Sequence, residues 1–78
     1  MKTIKVRYIA TLIDQRGLTE EALQTEATTP EELYRDLRTA HNFSLTHLGM
    51  RAALNDDFVP MNTPLMAGDT VAFVPPTN

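Results

Sequence analysis

The stretch Gly68-Asp69-Thr70-Val71-Ala72-Phe73-Val74-Pro75-Pro76-Thr77-Asn78 predicts a turn, a short strand and an extended tail. Gly68 and Asp69 favour a turn, because glycine takes positive φ freely and aspartate bonds its own backbone. Residues 70–74 alternate and are rich in β-branched and aromatic side chains, which is typical of a strand. Pro75 and Pro76 lack amide donors, so strand pairing should end there and the chain should leave as a stiff spacer. We therefore expect the C-terminus to be offered to another protein.

The size and composition of the chain indicate one small domain. A domain of 78 residues buries only ~60% of the surface that its unfolded chain exposes, so the core is thin. The absence of cysteine excludes a disulfide framework, a cysteine metal site and a thiol nucleophile. The net charge of −3, with seven scattered basic residues, argues against nucleic acid as a partner. No apolar run approaches the ~18 residues of a membrane span, and no secretion leader is evident, so we expect a cytoplasmic protein.

The first half of the chain predicts two paired strands. Residues 3–12 alternate, with Ile4, Val6, Tyr8 and Ala10 on one face and Lys5, Arg7, Ile9 and Thr11 on the other. Gly17 marks a reversal within residues 13–19. Residues 19–27 fit either the start of a helix or a strand, and we favour a strand that forms a hairpin with residues 3–12.

One helix has the clearest start and end. Thr29 is a good N-cap, Pro30 suits the first helical position, and Glu32 completes a capping box. The apolar stripe that follows comprises Leu33, Tyr34, Leu37, Ala40 and His41, and Asn42 should end the helix. Residues 44–49 could form a single helical turn under the sheet.

The remaining segments predict short strands. Residues 50–55 read as a strand, Asn55-Asp56-Asp57 as a turn, and Phe58-Val59-Pro60 as an edge segment. The predicted fold is therefore α+β, a mixed sheet with one main helix packed across it.

The polar residues do not indicate an enzyme active site, a metal or a cofactor. His41 and His47 do not have the four-residue spacing of zinc ligands on one helix face. The acidic pairs at 20–21 and 31–32 fit the first turns of helices, where negative charge complements the helix dipole. Asp56 and Asp57 lack a further oxygen ligand at a suitable spacing.

Three apolar residues occupy positions where the alternation predicts exposure. Ile9 shares a strand face with Lys5 and Arg7, Val74 lies opposite Val71 and Phe73, and Phe58 follows two aspartates in the edge segment. Isolated exposed apolar residues are common. A cluster of three beside the exit of the tail favours a partner-binding patch.

The closing run from Asn55 through Pro64-Leu65 to Gly68-Asp69-Thr70-Val71-Ala72-Phe73-Val74-Pro75-Pro76 resembles the small subunit of molybdopterin synthase. The segment Ile4-Lys5-Val6-Arg7-Tyr8-Ile9-Ala10 and the helix start Thr29-Pro30-Glu31-Glu32-Leu33 resemble the same family. The resemblance implies a ubiquitin-like β-grasp domain over residues 1–76, with residues 77–78 as a C-terminal tail.

The resemblance also implies a function and partners. In that family, an E1-like enzyme adenylates a C-terminal glycine carboxylate, which becomes a thiocarboxylate. The tail then enters the large catalytic subunit of molybdopterin synthase and donates sulfur to precursor Z. The chain would be a non-catalytic sulfur donor in a heteromer, and the large subunit would contact Ile9, Phe58 and Val74, with Pro75 and Pro76 leading into the tail.

The tail departs from the family pattern. The family ends in Gly-Gly soon after Pro-Pro, whereas Pro76 is followed here by Thr77 and Asn78. Glycine suits a tail that threads a narrow channel, because it has no Cβ. We expect that the native chain continues to Gly-Gly. The alternatives are a divergent interaction module that docks without transferring sulfur, and a carrier that serves thiamine or another pathway.

Overall fold

The computed structural model describes residues 1–76, and Thr77 and Asn78 lie outside the described residues. Five strands and two helices follow in the order β1 Lys2–Tyr8, α1 Thr11–Arg16, β2 Glu20–Thr25, α2 Pro30–His41, β3 Arg51–Leu54, β4 Asp57–Val59 and β5 Thr70–Val74. None of the helices within residues 1–76 is long and apolar enough to cross a membrane.

The strands form one mixed sheet in the order β2-β1-β5-β3-β4. β1 pairs antiparallel with β2 and parallel with β5, while β3 pairs antiparallel with both β4 and β5. The last strand of the chain thus occupies the middle of the sheet. The predicted hairpin of the first two strands, the edge segment and the final strand are confirmed.

One face of the sheet packs against α2. The alternation of β1 and β5 places their larger apolar side chains on this face, together with the apolar stripe of the helix. The core members from these three elements are Ile4, Val6, Tyr8, Leu33, Tyr34, Leu37, Val71 and Phe73. Within it the Tyr34 and Phe73 rings lie 5.3 Å apart between centroids, a distance at which aromatic pairs add to burial.

Helix α2 begins and ends where the sequence predicts. The Thr29 side chain accepts a hydrogen bond from the Glu32 amide, 3.3 Å away, and Pro30 is the first helical residue. Glu32 reaches one residue further back than a capping box requires, to the amide of Thr28 at 3.2 Å. Asn42 closes the helix in the left-handed conformation, with φ 57°. Of the predicted stripe, Ala40 is exposed rather than buried.

The predicted first strand is too long. β1 ends at Tyr8, Ala10 is exposed with φ 56° and ψ −127°, and a six-residue helix, α1, begins at Thr11. The Leu12 amide donates to the Ile9 carbonyl at 3.3 Å, which closes a turn around Ala10. Leu12 is fully buried from within α1, so core packing of the short helix overrides the alternation that extends through residues 9–12.

Two further segments differ from the sequence prediction. Residues 44–49 form bends and a turn, not a helical turn. The β3–β4 hairpin turns at Asn55 and Asp56, both with positive φ, as in the primed turns that match strand twist. The Asn55 side chain also accepts from the Thr70 amide at 3.0 Å, which ties the hairpin to the start of β5.

Candidate functional site

The C-terminal end of β5 lies between β1 and β3. Val74 is half-buried, Pro75 is buried and Pro76 is exposed. The sequence predicts that both prolines belong to a free spacer, and for Pro75 this prediction is wrong. Side-chain alternation continues past the strand, so Pro75 falls on the core face with Val71 and Phe73. The exposed part of the chain end therefore starts at Pro76.

The turn at Gly49 lies beside that exit. A Cβ built on Gly49 would meet the Cβ and Cγ of Pro76 at 3.5 Å. Gly49 has φ 76°, a conformation that glycine takes without strain. The turn thus supports Pro76 and helps to set the direction in which the chain leaves the domain.

The sheet face turned away from α2 is called here the open sheet face, and its members include Lys5, Arg7, Glu20, Arg51, Ala53, Phe58, Ala72 and Val74. Its register follows from the strand pairs: Arg7 is opposite Ala72, Ala72 opposite Ala53, and Ala53 opposite Phe58. Residues paired in this way lie on the same face of the sheet. A single row therefore crosses β1, β5, β3 and β4.

Phe58 and Val74 lie on this face, and Ile9 lies at its margin. Phe58 is 66% exposed and Ile9 is 37% exposed. Val74 pairs with Arg51. Ile9 follows Tyr8, whose register partner Phe73 precedes Val74, so Ile9 and Val74 occupy corresponding positions at the ends of neighbouring strands.

Sequence reasoning missed Arg51. Its guanidinium carbon lies 6.0 Å from the centroid of the Phe58 ring, a distance at which a cation is attracted to an aromatic face. Arg51 lies two residues before Ala53, on the same strand face, so the alternation of β3 could have placed it beside the patch. The cation thus adds a charged group to an otherwise apolar area.

The opposite half of the open sheet face is polar. Arg7 lies 3.9 Å from a carboxylate oxygen of Glu20 and 3.7 Å from one of Asp56. All three side chains are half exposed or more, so each pair contributes little to stability, ~0–1 kcal/mol. The face is therefore divided into an apolar half on β3, β4 and β5 and a charged half on β1 and β2.

A partly buried cluster fixes the corner that carries Ile9. The Tyr8 hydroxyl donates to Glu21 at 2.5 Å, and Arg16 donates two hydrogen bonds of 2.9 Å to the same carboxylate. The hydrogen bonds from Arg16, reinforced by that from Tyr8, lower the pKa of Glu21. Burial, followed by the hydrogen bond to Glu21, raises the pKa of Tyr8. The cluster joins β1, α1 and β2 on either side of the Ile9–Ala10 turn.

The acidic pairs and histidines have separate environments. Glu20 and Glu21 lie in a strand and pair with arginines, so their predicted role in a helix first turn is wrong, whereas Glu31 and Glu32 do begin α2. His47 lies 3.9 Å from Glu31. Within residues 1–76, no group of three His, Asp or Glu side chains is placed to hold a metal ion.

Comparison with protein-family models matches residues 6–78 to the ThiS family. No curated protein matches the chain in sequence.

Solved structures share the fold over almost the whole chain. A putative molybdopterin converting factor subunit 1 from Pyrococcus furiosus has a TM-score of 0.77 at 21% identity, covering 99% of this chain and 100% of that one. Small archaeal modifier protein 1 from Haloferax volcanii has a TM-score of 0.80 at 17% identity, covering 99% and 100%.

A third similar structure is a complex of subunits 1 and 2 of the molybdopterin-converting factor from Helicobacter pylori. Its TM-score is 0.66 at 23% identity, covering 97% of this chain and 96% of that one. At such identities the likeness shows the fold, and the expected ubiquitin-like β-grasp is confirmed.

Proposed function

The chain belongs to the ThiS family, and from that premise we propose that it is a sulfur carrier, specifically the small subunit of a molybdopterin synthase. The observation that carries the proposal is the position of Phe58 and Val74 on the open sheet face, next to the exit of the chain end. A carrier needs a docking surface that aims its terminus into a partner. Two of the similar structures are named as subunit 1 of a molybdopterin converting factor, one of them in complex with subunit 2.

The proposed chemistry takes place at the C-terminal carboxylate. An E1-like enzyme transfers AMP from ATP to the carboxylate and releases pyrophosphate. Sulfide (HS⁻) from a sulfur donor then displaces AMP, which leaves with the oxygen atom bound to it, and loss of a proton gives the thiocarboxylate. The large subunit of molybdopterin synthase takes the sulfur for precursor Z, and hydrolysis restores the carboxylate. The chain itself supplies docking and reach in the cytoplasm, not catalytic groups.

The docking surface in this proposal is the apolar half of the open sheet face. Phe58 is its most exposed large apolar side chain, and aromatic residues are the usual anchors of interfaces. Ile9 and Val74 border the place where Pro76 leaves the domain. A partner that covers them would therefore also meet the start of the tail formed by Pro76, Thr77 and Asn78.

A second function is an interaction module of the same fold that docks through this face and transfers nothing. Docking through this face needs only residues that lie within 1–76, among them Phe58 and Val74, and no chemistry at the chain end. A carrier for thiamine or another pathway is a third reading, and the likeness to small archaeal modifier protein 1 keeps the destination of the sulfur open to experiment.

Mass spectrometry of the protein purified from its own cells separates these functions. A sulfur carrier should show a terminal Gly-Gly and a mass increase equal to the replacement of one oxygen by sulfur. Precursor Z and the large subunit from the same organism should then yield molybdopterin with the thiocarboxylate form alone. A native terminus at Asn78 with undiminished binding to the large subunit would support the interaction module instead.

A further inference from the structure

The outer edge of β2 is unpaired within residues 1–76. β2 is the first strand in the sheet order and has β1 as its single neighbour. It runs for six residues, Glu20–Thr25, and contains neither the proline nor the lysine that often protects an edge from further pairing. By contrast, the other edge strand, β4, has three residues and is followed by Pro60.

The register shows which backbone groups face outward. The Tyr8 amide donates to the Thr19 carbonyl at 2.8 Å, and hydrogen-bonded pairs alternate with non-bonded pairs along an antiparallel ladder. The pairs Val6–Glu21 and Ile4–Leu23 lie two and four residues further along the ladder. In each of these pairs the two residues therefore form hydrogen bonds with one another. Ala22 and Gln24, which lie between, direct their N–H and C=O groups to the free edge.

An apolar groove runs beside this edge, between β2 and α2. Leu23 shares a face with Ile4, its partner in β1, and is therefore turned toward α2. The groove has a volume of about 340 Å³. Its lining includes the apolar side chains of Met1, Leu23, Leu37 and Ala40 and the carboxylates of Glu26 and Asp36. Its lining contains two carboxylates and no Lys or Arg side chain.

We propose that this edge binds an extended segment of a partner protein whose groove-facing residues are aliphatic in the middle and Lys or Arg at the ends. The added strand pairs its backbone with Ala22 and Gln24, while its aliphatic side chains enter the groove beside Leu23. Its cations face Glu26 and Asp36. Main-chain pairing of this kind supplies affinity, and alternate side chains supply specificity.

Charge disfavours a second copy of the chain at the same edge. The segment 20–26 contains Glu20, Glu21 and Glu26 and no basic residue. Pairing β2 with β2 would bring these carboxylates together, and like charges on facing strands are destabilising. The edge also lies across the sheet from β4, which carries Phe58, so the two surfaces are separate and this proposal does not depend on the chemistry of the chain end.

The test is an NMR titration of the full chain with the peptide Lys-Thr-Ile-Thr-Val-Thr-Lys, in which the two lysines and two aliphatic residues share one face. The amides of Ala22 and Gln24 should shift and exchange more slowly with solvent. The matched peptide with glutamate in place of both lysines should bind more weakly. Equal binding of the two peptides, or shifts confined to residues of β3, β4 and β5, would overturn the proposal.

Two pairs of variants test whether the peptide binds at the edge of β2 and beside Asp36. Gln24→Pro removes an outward amide at an edge position that tolerates proline, and should weaken peptide binding about fivefold for the loss of one hydrogen bond. Gln24→Ala keeps the amide and should bind as the unaltered chain does. Asp36→Lys should weaken binding, whereas Asp14→Lys, on α1, should not. Concentration-dependent dimers that protect the same two amides would assign the edge to a second copy and refute the partner segment.

Discussion

The guanidinium of Arg51 lies over the ring of Phe58, 6.0 Å from its centroid, and Arg51 is at the same time the partner of Val74 across β3 and β5. Phe58 and Val74, the two residues that best fit a partner-binding patch, thus both lie beside the cation of Arg51. The attraction between the cation and the aromatic face favours this position of the exposed ring by about 0.5–1 kcal/mol, and side chains that are preorganised lose less entropy on binding.

Replacing Phe58 should affect binding and not folding. Phe58→Ala should weaken the complex with the large subunit by about 2 kcal/mol, as for an interface anchor. Its effect on the free energy of unfolding should stay within about 0.5 kcal/mol, because the ring is exposed. Isothermal titration calorimetry and urea denaturation measure the two quantities.

The control for this variant is Met66→Ala, because Met66 is 64% exposed and Phe58 66%, but Met66 lies outside the open sheet face. It should leave the affinity unchanged. If both substitutions weaken the complex equally, or neither does, the assignment of the docking face is wrong.

Arg51 and Phe58 should be energetically coupled in the free protein. A double-mutant cycle with Arg51→Met and Phe58→Leu should give a coupling free energy of about 0.5 kcal/mol, the range of exposed cation–π pairs. Equilibrium denaturation of the four proteins measures it. The control cycle, with Arg35→Met in place of Arg51→Met, should give no coupling, since Arg35 lies on α2. A coupling free energy of the same size in the control cycle would show that Arg51 and Phe58 have no specific interaction.

The stability of the fold should fall in acid through Glu21. Because the pKa of Glu21 is lowered in the folded protein, its contribution to the free energy of unfolding is complete above the unfolded pKa of ~4.3, and is lost as the pH falls through the folded pKa. Glu21→Gln should therefore be less stable than the unaltered chain at neutral pH, and its stability should change less between neutral pH and pH ~3.

Urea denaturation across that pH range gives the comparison. Glu26→Gln is a suitable control, because Glu26 is an exposed glutamate with no carboxylate–cation pair among residues 1–76 within 4.0 Å. Its pH profile should follow that of the unaltered chain. A Glu21→Gln profile parallel to both would show that the cluster with Tyr8 and Arg16 does not control acid stability.

Glycine at position 10 should stabilise the domain. Ala10 has φ 56° and ψ −127°, a conformation that costs a residue with a Cβ about 1–3 kcal/mol. Ala10→Gly removes this strain, and the added freedom of the unfolded chain offsets about 0.4–1 kcal/mol of the gain. We expect a net increase of about 1 kcal/mol in the free energy of unfolding, measured as a higher thermal midpoint.

The matched change Ala22→Gly should have the opposite effect. Ala22 is also exposed but lies inside β2, where glycine costs about 0.5–1 kcal/mol. If Ala10→Gly destabilises the fold as Ala22→Gly does, the turn after β1 is not strained by alanine.

The sequence predicts the elements that have local capping or turn chemistry. Thr29, Pro30 and Asn42 define α2 to the residue, because each satisfies a backbone requirement at a helix end. Gly17, which the sequence predicts as a reversal, ends α1 in the left-handed conformation, with φ 81°. The helix itself was missed, since six residues carry too few apolar repeats and Ile9-Ala10-Thr11 continue the alternation of the strand.

The candidate site is predicted in part, because strand alternation is a local pattern that the sequence shows. Alternation separates Val74 from the core residues Val71 and Phe73, and the strand register then places it beside Arg51. Alternation extended past the end of β5 predicts that Pro75 lies in the core, whereas the lack of amide donors in the two prolines predicts a spacer. The bonds of Arg16 and Tyr8 to Glu21 join residues from three elements, and no local pattern reports such a contact.

The central position of β5 has a consequence for biosynthesis. Without residues 70–74, the sheet separates into two isolated hairpins, β2–β1 and β3–β4, which share no strand; single hairpins are marginal in water. Because β5 follows the other four strands along the chain, the sheet cannot assemble until residues 70–74 have been synthesised. A chain that is stalled or cleaved before residue 70 therefore lacks the strand that joins the two hairpins.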